Sequence, residues 1–243
     1  MRYPEFHEEV VAALAEIGDA RLGLAIRKDR GSELDYLGVR FPALRARVKQ
    51  GFSFSHLPQG EVVFIWDDLW RGSPWGDVLF AALEYCLPIV RKKQEIELWT
   101  VVRGWIDRVD NWCHCDQLSG VYSHLLEQDF ETVFPQIETW NRSENLWERR
   151  ASLVSLVHYS GKNAVFLGPE VMLPLVKNCL ADDRHYVQTA VGWVLREMRR
   201  KFPDEINEFL TAEIGAISAK ALTRAVEGLP KEVQAEWREK RKG

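Results

Sequence analysis

Apolar residues recur three and four positions apart along almost the whole chain, and nowhere does sustained alternation of the strand type appear between hairpin turns. A chain with that period throughout buries helical stripes against other helices, so the fold class is all-α. The period predicts helices over 4–17, 20–28, 42–48, 61–70, 75–90, 93–106, 111–126, 130–140, 144–160, 170–180, 184–201, 204–216 and 219–227, with a polar terminal helix from Lys231. Pro42, Pro74 and Pro203 fall near helix starts, where a missing amide costs little. Short connections and the absence of heptads favour antiparallel helix pairs stacked into a solenoid over a coiled coil. No repeat is legible in the sequence itself, so the repeat would be structural. No linker rich in Gly, Ser or Pro appears, and GKNAVFLGPE at 161–170 is the best internal break; a single domain over 1–243 is the simpler organisation.

With 46% hydrophobic and 28% charged residues, the 243-residue chain can bury a sizeable core. Its net charge of −4 excludes a uniformly basic nucleic-acid coat protein but leaves room for a basic face. Basic residues gather at Arg40, Arg45, Arg47 and Lys49, at Arg91, Lys92 and Lys93, and at Arg238, Lys240, Arg241 and Lys242, while acids gather at Asp67, Asp68, Asp182 and Asp183. No apolar run approaches the roughly 20 residues of a spanning helix. Glu5, Glu8 and Glu9 stand where an export signal would be apolar. Four cysteines without such a signal point to the cytoplasm and to reduced thiols. The compositional oddity is ten tryptophans, residues that pack cores but also form platforms for cations and bases.

Three segments carry candidate chemistry. In Asn111-Trp112-Cys113-His114-Cys115-Asp116, Trp112 and Asp116 are four apart and share a helix face, so an acid and a large aromatic project into the same space. A core Trp followed by a solvated Asp would satisfy the same spacing. The Cys-His-Cys-Asp run has the residue types of a metal site, but successive helical residues turn by about 100° and set Cys113 and Cys115 on nearly opposite sides. No second Cys/His group has ligand spacing, so buried thiols and no metal are expected. In Glu144-Asn145-Leu146-Trp147-Glu148-Arg149-Arg150-Ala151, Trp147 and Arg150 share a face, and Arg150 precedes an apolar run. Such an Arg either pairs with a carboxylate or reaches a phosphate. In Gly192-Trp193-Val194-Leu195-Arg196-Glu197-Met198-Arg199-Arg200, Trp193, Arg196 and Arg200 form one stripe. Gly192, unfavourable in a helix interior, marks the close approach of another helix or of a ligand.

Taken together and in this order, these segments resemble the HEAT-like DNA alkylation-repair family of AlkD-type alkylpurine DNA glycosylases. The resemblance covers 36–210 and opens with Tyr36-Leu37-Gly38-Val39-Arg40-Phe41-Pro42-Ala43-Leu44-Arg45, similar to the family's Gly-Val-Arg-x-Pro-x-x-Arg motif. It implies a HEAT-like helical-repeat fold with a concave basic surface for double-stranded DNA. The family's cleft Trp, Asp, Arg and Trp fall on Trp112, Asp116, Arg150 and Trp193. The resemblance thus implies catalytic roles for Asp116, Trp112 and Trp193, and DNA binding by Arg150 together with Arg149, Arg196, Arg200, Arg45 and Trp147.

The implied activity is release of purines alkylated at ring nitrogen three or seven, by a monomer needing no metal or organic cofactor. Such bases are cationic, so the glycosidic bond is already weakened and the departing base needs no protonation. A carboxylate beside the deoxyribose would stabilise the positive charge developing there and orient a water. Two departures stand out. Trp75-Gly76-Asp77-Val78 lacks the His-Glu pair common in the family, and Cys113 follows the cleft Trp where some members have Asp. The alternative is a helical-repeat module that binds DNA or protein without catalysis.

Overall fold

In a computed structural model, residues 1–92, 97–157 and 165–243 are described; the predicted helices over 93–106 and 144–160, and the loop at 161–170, lie partly outside them. The described residues form fourteen α-helices and two 3-10 turns and contain no strand, only two isolated bridges. None of these helices is long and apolar enough to cross a membrane. The chain divides into two compact units, Met1–Leu125 and Leu126–Gly243. The division falls inside a helix rather than at the 161–170 loop.

The first unit holds α1 (Pro4–Ala15), α2 (Ala20–Arg30), α3 (Phe41–Gln50), a 3-10 turn at Ser53–His56, α4 (Gln59–Gly72), α5 (Gly76–Arg91), α6 (Glu97–Val102), a 3-10 turn at Arg103–Arg108 and most of α7 (Trp112–Gln128). Prolines open α1 and α3, and Asp19 caps α2 by accepting from the Arg21 and Leu22 amides. Most of the chain's tryptophans prove to be core residues. Trp66, Trp70 and Trp105 are fully buried, and the Trp70 and Trp105 rings stack with centroids 4.5 Å apart. The indole N–H groups of the stacked pair are satisfied, Trp70 Nε1 donating to the Trp105 carbonyl at 3.0 Å and Trp105 Nε1 to Asp67 Oδ1 at 2.7 Å, whereas the buried Trp66 Nε1 has no hydrogen-bond partner among the described residues.

The second unit holds α8 (Phe130–Asn141), α9 (Leu146–Val154), α10 (Pro169–Asn178), α11 (His185–Arg199), α12 (Pro203–Ala212), α13 (Ala219–Ala225) and α14 (Lys231–Lys240). Asp129, Asn145 and Ser218 cap α8, α9 and α13 through their side-chain oxygens. α11 is the central element, packed by α9, α10, α12 and α13. Its Val187, Val191, Val194, Leu195 and Met198 are fully buried. Gly192 belongs to the α11–α13 crossing: a Cβ there would overlap the Ala221 carbonyl oxygen and the Arg224 Cβ. The neighbour the sequence asks for at Gly192 is therefore a helix.

Candidate functional site

The first unit carries Trp112 and Asp116. Asn111 caps α7 by accepting from the Cys113 amide at 3.0 Å and the His114 amide at 3.1 Å, so the helix starts at Trp112. Trp112 and Asp116 lie one turn apart on α7, both half-buried. His114 between them is fully buried and anchors the helix. Its Nδ1 lies 2.7 Å from Asn111 Nδ2, a donor, and its Nε2 lies 3.0 Å from the Gly76 carbonyl, an acceptor. That pairing fixes the neutral tautomer with the proton on Nε2. Burial pushes the His114 pKa down to about 3, so the ring is a hydrogen-bonded fixture, not a proton carrier, near neutrality. Cys113 and Cys115 are buried, and burial pushes the Cys113 thiol up to about 11.

The Tyr36–Arg45 motif supports this helix start. The Asp77 carboxylate accepts from the Leu37 amide at 2.7 Å and the Val39 amide at 2.9 Å, which pins the segment at the head of α5. Gly38 adopts φ +78°, a conformation that favours glycine. The Tyr36 hydroxyl accepts from Asn111 Nδ2 at 3.1 Å and donates to Ser32 Oγ at 3.2 Å. Gly76 has room only for hydrogen where the Tyr36 ring passes. The segment Trp75-Gly76-Asp77-Val78 is thus a structural junction between this motif and His114. Arg30, which the sequence reading did not single out, places its guanidinium 5.0 Å from the Tyr36 ring centroid and 4.8 Å from that of Phe80.

The second unit carries Arg150 and Trp193. Arg150 is only 5% exposed. Its Nη1 donates to the Tyr186 carbonyl at 2.6 Å and to Thr189 Oγ1 at 3.0 Å, tying α9 to the first turns of α11. The Trp147 ring meets Tyr186 at 5.2 Å, so Trp147 and Arg150 converge on one residue. Tyr186 stands seven positions before Trp193, two turns along the same face of α11. The sequence reading missed Tyr186. Its signal was the Tyr186-Thr189-Trp193 spacing of three and four, which extends the stripe toward the N-terminus of α11.

The remaining arginines are anchored to protein acceptors. Arg149 pairs with the nearly buried Asp182 at 3.0 Å and donates to the Asn141 carbonyl. Burial would raise the Asp182 carboxyl, but hydrogen bonds from Arg184 and Arg149 hold it below the ordinary range. Arg45 grips Glu84 through two bonds of 2.8 Å, with its side chain 62% exposed and that of Glu84 only 4%. Arg196 lies between Glu197 and Glu227, and Arg200, with 71% of its side chain exposed, pairs with Glu197 at 2.8 Å. The structure therefore brings Trp112 to Asp116 in one unit, and Trp147 and Arg150 to the start of the Trp193 helix in the other. Among the described residues no group of His, Cys, Asp and Glu is arranged to hold a metal ion.

The sequence profile of the family described as DNA alkylation repair enzyme matches residues 10–229. Among curated proteins none matches the chain. Among solved structures, a predicted DNA alkylation repair enzyme from Enterococcus faecalis is similar with a TM-score of 0.75 at 16% identity, over 88% of this chain and 97% of that one. AlkD2 from Streptococcus mutans is similar with a TM-score of 0.57 at 19% identity, over 86% of this chain and 97% of that one. The alkylpurine DNA glycosylase AlkC from Pseudomonas fluorescens, solved bound to DNA containing an abasic site analog, gives a TM-score of 0.56 at 16% identity. That likeness covers 94% of this chain and 62% of AlkC. The all-α helical-repeat fold expected from the sequence is the fold these proteins share.

Proposed function

Since the chain belongs to the DNA alkylation repair enzyme family, we propose that it is a DNA glycosylase releasing cationic N3- or N7-alkylated purines from duplex DNA. The observation that carries this reading is the pairing of Trp112 and Asp116 one turn apart on α7, held by a capping residue and a buried neutral imidazole. Asp116 stabilises positive charge on the deoxyribose as the C1′–N bond breaks, and the bonding electrons leave with the base, cancelling its ring charge. Water adds to C1′ and gives its proton to Asp116 or to solvent. The Trp112 face suits a cationic base or a sugar, and Trp193 offers a second aromatic face of the same kind. Arg150 fixes α11 and contributes its charge beside Trp147 and Tyr186, while Arg45 and Arg200, the more exposed cations, keep N–H donors beyond those given to Glu84 and Glu197 and offer them to backbone phosphates. Arg149 and Arg196, already paired, add to the positive potential of the same helices. This chemistry requires no cofactor.

The test is incubation of the protein with duplex DNA methylated at purine nitrogens, with chromatographic assay of the free bases. Release of 3- or 7-methylpurines supports the glycosylase reading. DNA binding without release would assign a binding module instead.

A further inference from the structure

Within the first unit, the second half of α5 and the last turn of α3 line a groove of about 690 Å³. It lies at the end of α5 away from His114, which is bonded to the Gly76 carbonyl at the helix start; Glu84 to Lys92 stand roughly 12–24 Å further along the axis. Arg45, Lys49, Arg91 and Lys92 line the groove, and among the described residues its lining holds one carboxylate, Glu84. Arg45 already neutralises Glu84 through two bonds of 2.8 Å. The C-termini of α3 and α5 together offset only about one further charge, so a positive excess remains. Lys49, Arg91 and Lys92 are exposed, and neither lysine joins an ion pair among the described residues. Between these cations the groove wall is apolar, with Val48, Leu57, Val62, Leu87 and Ile89.

Two features of the wall suit a peptide and not a nucleic-acid strand. The apolar surface asks for an apolar side chain, which a sugar-phosphate backbone lacks. Pro88 stands inside α5 and has no N–H, so the Glu84 carbonyl loses the helical donor that position 88 would supply, and both residues line the groove. A peptide amide can donate to that carbonyl; a phosphodiester has no donor to give. Tyr85, half-buried in the same wall, has its hydroxyl pushed up to about 12, chiefly by burial, and so stays an O–H donor for a carboxylate. We propose that this groove docks an extended acidic segment of a partner protein, its carboxylates at Lys49, Arg91 and Lys92 and an apolar side chain against Leu57 and Leu87. The proposal is independent of the glycosylase reading. Arg45 enters it only by neutralising Glu84, which keeps the buried carboxylate from repelling an acidic occupant.

The experiment follows fluorescence anisotropy of the labelled peptide Asp-Asp-Leu-Asp-Asp-Phe, and of labelled hexa-aspartate, with wild type, Lys49→Glu, Leu87→Gln and Lys28→Glu. Lys28 is an exposed residue of α2 outside the groove, so its reversal controls for net charge. Wild type is expected to bind the mixed peptide about tenfold or more tightly than hexa-aspartate, because only the first fills the apolar wall. Lys49→Glu should weaken the mixed peptide about fivefold or more, and Lys28→Glu by less than about twofold. Leu87→Gln, which changes no charge, should weaken the mixed peptide severalfold and leave hexa-aspartate unchanged, and it reads the groove even where Lys49→Glu fails to fold. No binding of the mixed peptide by wild type overturns the proposal, as does equal weakening by Lys28→Glu and Lys49→Glu. Equal affinity for the two peptides makes the groove a plain anion site and also overturns it. So does an undamaged duplex that displaces the peptide and loses the same affinity in Lys49→Glu, which would make the groove a nucleic-acid surface. Loss of base release has no bearing on these outcomes, so failure of the groove and failure of the glycosylase reading are distinct.

Discussion

Arg150 reaches across from α9 to the Tyr186 carbonyl, 2.6 Å away at the start of α11, and so joins the helix that carries Trp147 to the helix that carries Trp193. A nearly buried guanidinium is costly to delete, because two charge-assisted hydrogen bonds and the packing of its stem are lost together, although the Tyr186 carbonyl keeps its bond from Thr189 Oγ1. Arg150→Ala is expected to destabilise the protein by about 2–3 kcal/mol. Urea unfolding checks this, and an unchanged midpoint would show that the interaction contributes nothing to stability. Any loss of DNA affinity in this variant has to be measured under conditions where it is fully folded.

Gly192→Ala sets two effects against each other. Helix propensity favours alanine by roughly 1 kcal/mol. The added methyl, however, meets the Ala221 carbonyl and the Arg224 Cβ at the α11–α13 crossing, neither of them a flexible chain end. Overpacking of this kind costs typically about 1–3 kcal/mol, so net destabilisation is expected. A rise in melting temperature would show that the two helices separate freely.

His114 makes stability depend on pH with a definite sign. Its folded pKa, pushed down to about 3 by burial, lies below its unfolded value, so the unfolded chain binds the extra proton as the pH falls. The contribution is fully present above about pH 6.5 and is progressively lost between that pH and about pH 3. His114→Gln removes this titration. Whatever its stability at neutral pH, it should lose less on acidification than wild type does, as urea unfolding over this range would show. Parallel acid limbs would contradict the buried neutral imidazole.

The helices legible in the sequence were those whose apolar period is closed by local signals. The predicted spans 75–90 and 111–126 correspond to Gly76–Arg91 and Trp112–Gln128, the second started by Asn111. The span 93–106 is less regular than its pattern: α6 ends at Val102 and a 3-10 turn follows. There the Val102 carbonyl accepts from the Tyr122 hydroxyl and the Trp105 carbonyl from the Trp70 indole, long-range bonds that no local pattern announces. The turn at Ser53–His56 was too short to show a period, although its Phe54 is buried.

The candidate site was legible as residue types and spacing along single helices, as with Trp112 and Asp116 on α7. The Asn111 cap is local to the pair, but most of the other supports were not legible, because they come from distant sequence. Glu84 lies 39 positions from Arg45, Asp182 lies 33 from Arg149, and Gly76 lies 38 from His114. A charge pattern read along the chain shows clusters of arginine, but only the packed helices show which acids already hold them.

The central claim is that Asp116 stabilises the sugar cation, and Asp116→Asn tests it most directly, since the amide keeps the shape and removes the charge. The measurement is the single-turnover rate of release of 3- and 7-methylpurines from methylated duplex DNA by wild type and Asp116→Asn, with folding and duplex affinity matched. The account predicts release by wild type and a loss on the order of a hundredfold or more in the variant. Equal rates would contradict a catalytic role for Asp116, and no release by wild type would contradict the glycosylase reading itself.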